Sequence, residues 1–170
     1  MKVIIFLFFS FISLNGIYGQ EKLKDTLPLK NGKVTYTNDV VVDGISKDEL
    51  YNRAIRWLAY TYETVKIDTK DELVARGYIL PANGKGYLSS DQPECVWQTI
   101  TIRIKDGIYK YEITDFFVKI SYVVNGLSSN YDSALETYGN KKYYENVDIQ
   151  IKKLIASLDK ALKIPIDDNW

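Results

Sequence analysis

The sequence predicts an α+β fold: a two-layer sandwich with two helices covering one face of a mainly antiparallel sheet. Three observations predict it. Residues 95–117 alternate between apolar and polar on either side of Asp106-Gly107. Two segments, one after Ser46 and one from about Tyr143, carry apolar residues at helical spacing. The order along the chain is strand, helix, about four strands, helix, and a β-α-β4-α arrangement lets both helices bury their apolar stripes on one sheet face.

Each element has its own signal. Lys2 precedes an apolar run, Val3 to Leu14, that Asn15 and Gly16 end. A membrane-spanning helix needs roughly 20 apolar residues, so this run has the proportions of a cleavable secretory signal, residues 1–19, cut at Gly19-Gln20. No Cys follows the run, which argues against a lipoprotein anchor. Residues 20–31 are polar, aperiodic and interrupted by Pro28, and read as a flexible leader. A single domain is expected over residues 32–164, with 165–170 as a tail. About 151 residues then remain, a size that buries about 68–70% of the unfolded chain's surface.

Val34, Tyr36, Val40 and Val42 share one parity, as on a strand with one buried face. Ser46 and Glu49 form a capping box, with Asp48 also suited to the positive helix end. In the helix that follows, Leu50, Tyr51, Ala54, Ile55, Trp57, Leu58 and Tyr62 fall on one arc; Asn52, Arg53, Arg56 and Glu63 fall opposite. Residues 65–69 and 72–80 read as strands, and 81–86 and 89–93 as loops around a short extended Tyr87-Leu88. The Asp106-Gly107 turn sets a register that places Ile104 opposite Tyr109, Ile102 opposite Tyr111 and Ile100 opposite Ile113, all on the core face. Phe117 to Val124 extends the last strand, and 125–130 reads as a loop. The final helix buries Tyr144, Val147, Ile151, Leu154, Ile155, Leu158 and Leu162, and Pro165 ends it.

The wording of these elements is specific. Gly32-Lys33-Val34 opens a strand, and Val40-Val41-Val42-Asp43-Gly44-Ile45-Ser46-Lys47-Asp48-Glu49-Leu50-Tyr51 leads into a helix carrying Trp57-Leu58. Ile104-Lys105-Asp106-Gly107-Ile108-Tyr109-Lys110-Tyr111 forms the hairpin. On these stretches, from Leu29 to Phe117, the chain resembles the bacterial family known as domain of unknown function 4468. That family is described as having a TBP-like fold and is found mostly in exported proteins of Bacteroidetes. The resemblance implies the β-α-β4-α sandwich. It implies no activity and no site residues. Nor does it carry over DNA binding: the TATA-binding protein grips DNA with basic and intercalating residues, this sheet is not basic, and fold likeness does not transfer function.

Composition narrows the chemistry. There are 22 basic and 22 acidic residues, so no net attraction draws the chain to nucleic acid or anionic lipid. There is no His, which removes Ser-His-Asp and Cys-His catalysis and most zinc sites. Asn83-Gly84-Lys85-Gly86 lacks the spacing of a phosphate loop. Cys95 has no partner for an intramolecular disulfide and reads as a small buried hydrophobe. Asp68, Asp71, Glu72 and Asp115 are the carboxylates a hydrolase would need to bring together. They read as solvated surface, and no EF-hand spacing surrounds them. Tyr60, Tyr78, Tyr87, Tyr122, Tyr131 and Tyr138, in loops or on the polar helix arc, are the tyrosines able to present flat contact area. Asp25-Thr26-Leu27 and Asp132-Ser133-Ala134 match a short O-glycosylation pattern.

The expected role is a non-catalytic binding or interaction module of the cell envelope. No catalytic residue, cofactor or metal is expected. The periplasm or the outer surface is the expected location, and an envelope protein or glycan the expected partner. The candidate surface is the solvent face of the hairpin: Thr99, Thr101, Arg103, Lys110, Glu112 and Thr114. A ligand carrier with a cavity between sheet and final helix is the second reading, and a carboxylate-dependent hydrolase the third.

Overall fold

The structure is a computed structural model. It describes residues 23, 26–62, 64–69, 72–81, 94–124 and 127–164. The signal segment, the Tyr87-Leu88 piece and the tail lie outside the described residues. The elements run β1 (Leu29–Lys30), β2 (Lys33–Val34), β3 (Tyr36–Val41), α1 (Lys47–Thr61), β4 (Thr64–Thr69), β5 (Glu72–Ile79), β6 (Cys95–Lys105), β7 (Ile108–Val124), β8 (Leu127–Ala134), a 3-10 turn (Leu135–Thr137) and α2 (Lys141–Lys163).

β1 and β2 form a small hairpin, and the other six strands form one antiparallel sheet. Its order is β3-β7-β6-β5-β4. α1 carries the chain from the β3 edge to the β4 edge, and a meander brings it back. The hairpin register is the expected one: Ile104 pairs with Tyr109, Ile102 with Tyr111 and Ile100 with Ile113. These six residues are buried with Leu50, Leu58, Ile151 and Leu158 of the helices. The observed sandwich of two helices on one sheet face is therefore held by the predicted apolar surfaces.

Polar contacts tie the layers together. The Tyr36 hydroxyl donates to Asp148 Oδ1 on α2 at 2.9 Å, and the Tyr109 hydroxyl donates to Asp159 Oδ1. Trp57 Nε1 donates to Ser157 Oγ at 3.1 Å, joining α1 to α2. Burial and the adjoining carboxylates push the Tyr36 and Tyr109 phenols well above their ordinary pKa. Tyr62, desolvated against Gly77, is pushed up to about 12.

β7 is long enough to take two partners along one edge. β3 pairs with residues 108–113 and β8 with residues 117–124. A bulge separates the halves. Between Trp97↔Phe117 and Thr99↔Thr114, β6 passes Gln98 while β7 passes Asp115 and Phe116. Asp115 sits at φ +54°, the left-handed conformation of a bulge residue. The extra residue switches parity, so Tyr109, Tyr111 and Ile113 before it and Phe116, Val118 and Ile120 after it all face the core.

Five expectations need correction. Part of the leader is structured: Leu23 and Leu27 are buried in the core, the Leu27 amide donates to the Leu23 carbonyl at 2.9 Å, and Leu29 pairs with Val34. Residues 127–130 are strand rather than loop, because β7 beyond the bulge offers an edge that β3 does not reach. Arg53 is 6% exposed instead of solvated. It donates to Glu49 Oε1 at 2.7 Å and to the Leu162 carbonyl at the negative end of α2 at 2.8 Å. Cys95 is half-buried, on the polar parity of β6. α2 begins two residues before Tyr143, where the Asn140 side chain accepts the Tyr143 amide at 3.0 Å.

Candidate functional site

Alternation along β5, β6 and β7 sends one set of side chains to the helices and the other to a face that, among the described residues, no helix covers. All six predicted surface residues lie on that open face. They form three cross-strand pairs: Thr99 with Thr114, Thr101 with Glu112, and Arg103 with Lys110. The charged members of these pairs are held by ion pairs outside the β6–β7 hairpin. Arg103 Nε meets Glu72 at 2.7 Å, Lys110 meets Asp39 at 3.4 Å, and Glu112 meets Lys30 at 3.6 Å. Exposed pairs of this kind contribute about 0–1 kcal/mol each. At the turn end the Arg103–Glu72 and Lys110–Asp39 pairs line a depression of about 490 Å³ together with Lys47 and Lys105.

The other end of the face is aromatic, and of it the sequence reading singled out Tyr78 alone. Tyr78, Trp97 and Phe117 stand side by side on β5, β6 and β7. Tyr78 and Trp97 have ring centroids 5.2 Å apart. Trp97 and Phe117 are 6.1 Å apart and within 12° of parallel. The Arg76 guanidinium lies 5.0 Å from the Phe117 ring centre, a cation–π contact. Trp97 was legible, since it shares parity with Thr99, Thr101 and Arg103. Phe117 was not, because the bulge moves odd-numbered residues from the core face to the open one.

The other candidates separate. Tyr60, Tyr78 and Tyr131 are exposed, while Tyr138 is buried and donates to Glu94 Oε1 at 2.6 Å. The side chains of Tyr87 and Tyr122 lie outside the description. Glu72 is held by Arg103, and Asp115 is committed to the bulge. The side chain of Asp68, and Asp71 altogether, lie outside the described residues. Cys95 stands opposite Lys119, yet burial outweighs that charge and pushes its thiol pKa up, so the thiol is a poor nucleophile. Among the described residues no group of three or more His, Cys, Asp or Glu converges on a metal position, and no helix is long and apolar enough to cross a membrane.

Residues 36–119 match the family model described as a domain of unknown function (DUF4468) with TBP-like fold. The chain belongs to the DUF4468 family. Its matched segment starts seven residues after the Leu29 boundary of the sequence resemblance and ends two after Phe117. Among solved structures, a TBP-like protein from Parabacteroides distasonis ATCC 8503 superposes with a TM-score of 0.63 at 17% identity, over 83% of this chain and 99% of that one. A DUF4468 family protein from Bacteroides ovatus ATCC 8483 gives 0.58 at 15% identity, over 82% and 92%. These likenesses show the TBP-like fold for this DUF4468 chain and reach beyond the family-matched segment. No curated protein matches it.

Proposed function

We propose that this DUF4468 protein is a non-catalytic binding module of the bacterial envelope, and that the sheet face opposite α1 and α2 takes a glycan chain. The aromatic row Tyr78-Trp97-Phe117 carries the reading. Trp97 and Phe117 lie within 12° of parallel on a rigid sheet, with Tyr78 tilted beside them, and aromatic side chains offer apolar contact area at little cost in conformational entropy. Thr99, Thr114 and Thr101 beside the row offer hydroxyls for a polar, multiply hydroxylated ligand. The sequence supports a binding role over catalysis, since it has no histidine and no nucleophile motif.

The test is titration of the protein with soluble peptidoglycan fragments and outer-membrane polysaccharide, followed by tryptophan fluorescence. Two stacking rings at about 1 kcal/mol each predict a loss of about thirtyfold in the Trp97→Ala/Phe117→Ala variant. Undiminished affinity in that variant, its fold verified by circular dichroism, would sink the reading. Export is tested separately: N-terminal sequencing of the protein from an envelope fraction should begin at Gln20. A chain beginning at Met1 there refutes cleavage.

A further inference from the structure

Two adjacent rows cross the open face of the sheet. One is the aromatic row Tyr78-Trp97-Phe117. The next row toward the hairpin turn is Arg76-Thr99-Thr114, again made of direct cross-strand partners on β5, β6 and β7. Cross-strand partners share a face, and positions two residues apart on a strand lie about 7 Å apart. A sugar stacked on the aromatic row therefore places a ring substituent over the row beside it. We infer that the glycan taken by this face is acidic, with the carboxylate of a uronic acid residue held by Arg76; this rests on the glycan reading above and names its sugar class.

Arg76 is exposed, and its Cζ lies over the Phe117 ring, 5.0 Å from the ring centre. An aromatic ring attracts the charge but is no strong acceptor, so the guanidinium N–H donors stay available to a ligand. Among the described residues no carboxylate comes within ion-pair distance of Arg76, and Asp115, beside Thr114 at the bulge, does not reach it. Other cations of this face are matched from within the chain. Arg103 meets Glu72, Lys110 meets Asp39, and Lys119 stands opposite Asp132 on β8. Lys105 lies at the far end, by the turn depression. The whole chain is balanced at 22 basic and 22 acidic residues, so the unmatched guanidinium is a local property of the aromatic end.

The chemistry of the group selects the ligand. A guanidinium is planar, and its paired N–H donors match the two oxygens of a carboxylate. A single cation suits a singly charged group, whereas a phosphate dianion calls for a second cation beside it. The Phe117 ring holds the Arg76 side chain against the sheet, so less rotamer freedom is lost on binding. Thr99 and Thr114 in the same row are placed for ring hydroxyls. A uronic acid differs from a neutral hexose in carrying a carboxylate where the hexose has a hydroxymethyl group, and that is the difference Arg76 reads.

The experiment titrates the protein with tetragalacturonate and with its methyl ester, which keeps the rings and removes the charge, followed by tryptophan fluorescence. The acid should bind at least about tenfold more tightly than the ester. Arg76→Gln should cost the acid at least about tenfold and leave the ester within about twofold, which shows that Phe117 is still presented. Arg76→Lys keeps the charge and loses the fork, so it should stay within about threefold of Arg76→Gln. Equal affinity for acid and ester, no binding of the acid, or wild-type affinity for the acid in either variant overturns the inference. The glycan reading is judged apart: acid and ester binding equally, and both weakened in Trp97→Ala/Phe117→Ala, would keep the face as a glycan site and strike only the acidic sugar.

Discussion

Inserting one alanine between Asp115 and Phe116 should remove most of the protein's stability. The bulge already accommodates one extra residue, and a second shifts the last part of β7 by one position. Phe116, Val118 and Ile120 would then leave the core for the open face, and Phe117 and Lys119 would turn inward. Each large apolar side chain contributes about 1.5–3 kcal/mol by burial, so three displaced residues cost about 5–9 kcal/mol before the inward lysine is counted. Total stability for a domain of this kind is about 5–15 kcal/mol. Thermal unfolding followed by circular dichroism should show a lost or sharply lowered transition. Asp115→Gly is the opposite case. Glycine adopts a positive φ without the steric cost an L-residue bears, so this variant should match or exceed the wild type by up to about 1 kcal/mol. An insertion variant that melts near the wild type would show that the bulge does not set the register.

Alkali should unfold the protein between about pH 11 and 12, with the fold unaffected up to about pH 9. Tyr36, Tyr62, Tyr109 and Tyr143 are buried, and each phenol holds its proton more tightly in the folded chain than in the unfolded one. Desolvation is the first cause at all four; Asp148, Asp159 and Glu94 add to it at Tyr36, Tyr109 and Tyr143. Unfolding therefore releases protons above pH 10. The stability is fully present below the unfolded value of about 10 and declines as pH rises towards the folded values. Each tyrosine contributes a slope of about 1.4 kcal/mol per pH unit, and four together about 5. Denaturant titrations at pH 9, 10 and 11 measure that slope. Tyr109→Phe should reduce it by about a quarter. Tyrosinate absorbance rising near pH 10 for all fourteen tyrosines while the fold persists would refute the account.

Legibility followed the range of the forces involved. The α1 cap, the Asp106-Gly107 register and the apolar stripe of α2 are local, so spacing and turn chemistry reveal them. Arg53 looked solvated because the partner that buries it, the Leu162 carbonyl at the end of α2, becomes a neighbour only on folding. β8 looked like loop because its polar residues gain strand structure from the edge of β7. Of the candidate site, the threonine and charge pairs followed from alternation, while the pairing of Arg103 with Glu72 and of Lys110 with Asp39 required the strand order.

What the sequence alone determined is the inventory and the facing: two amphipathic helices, a hairpin in one register, and an isoleucine–tyrosine surface for the helices to cover. Only the tertiary structure decided which strands lie side by side, and hence the Tyr78-Trp97-Phe117 row, the β3 and β8 share of one β7 edge, and the contact between α1 and α2. The physical reason is that side-chain period is a property of the local backbone. Strand order and interhelical geometry are chosen by packing between residues a hundred positions apart, as when Trp57 meets Ser157.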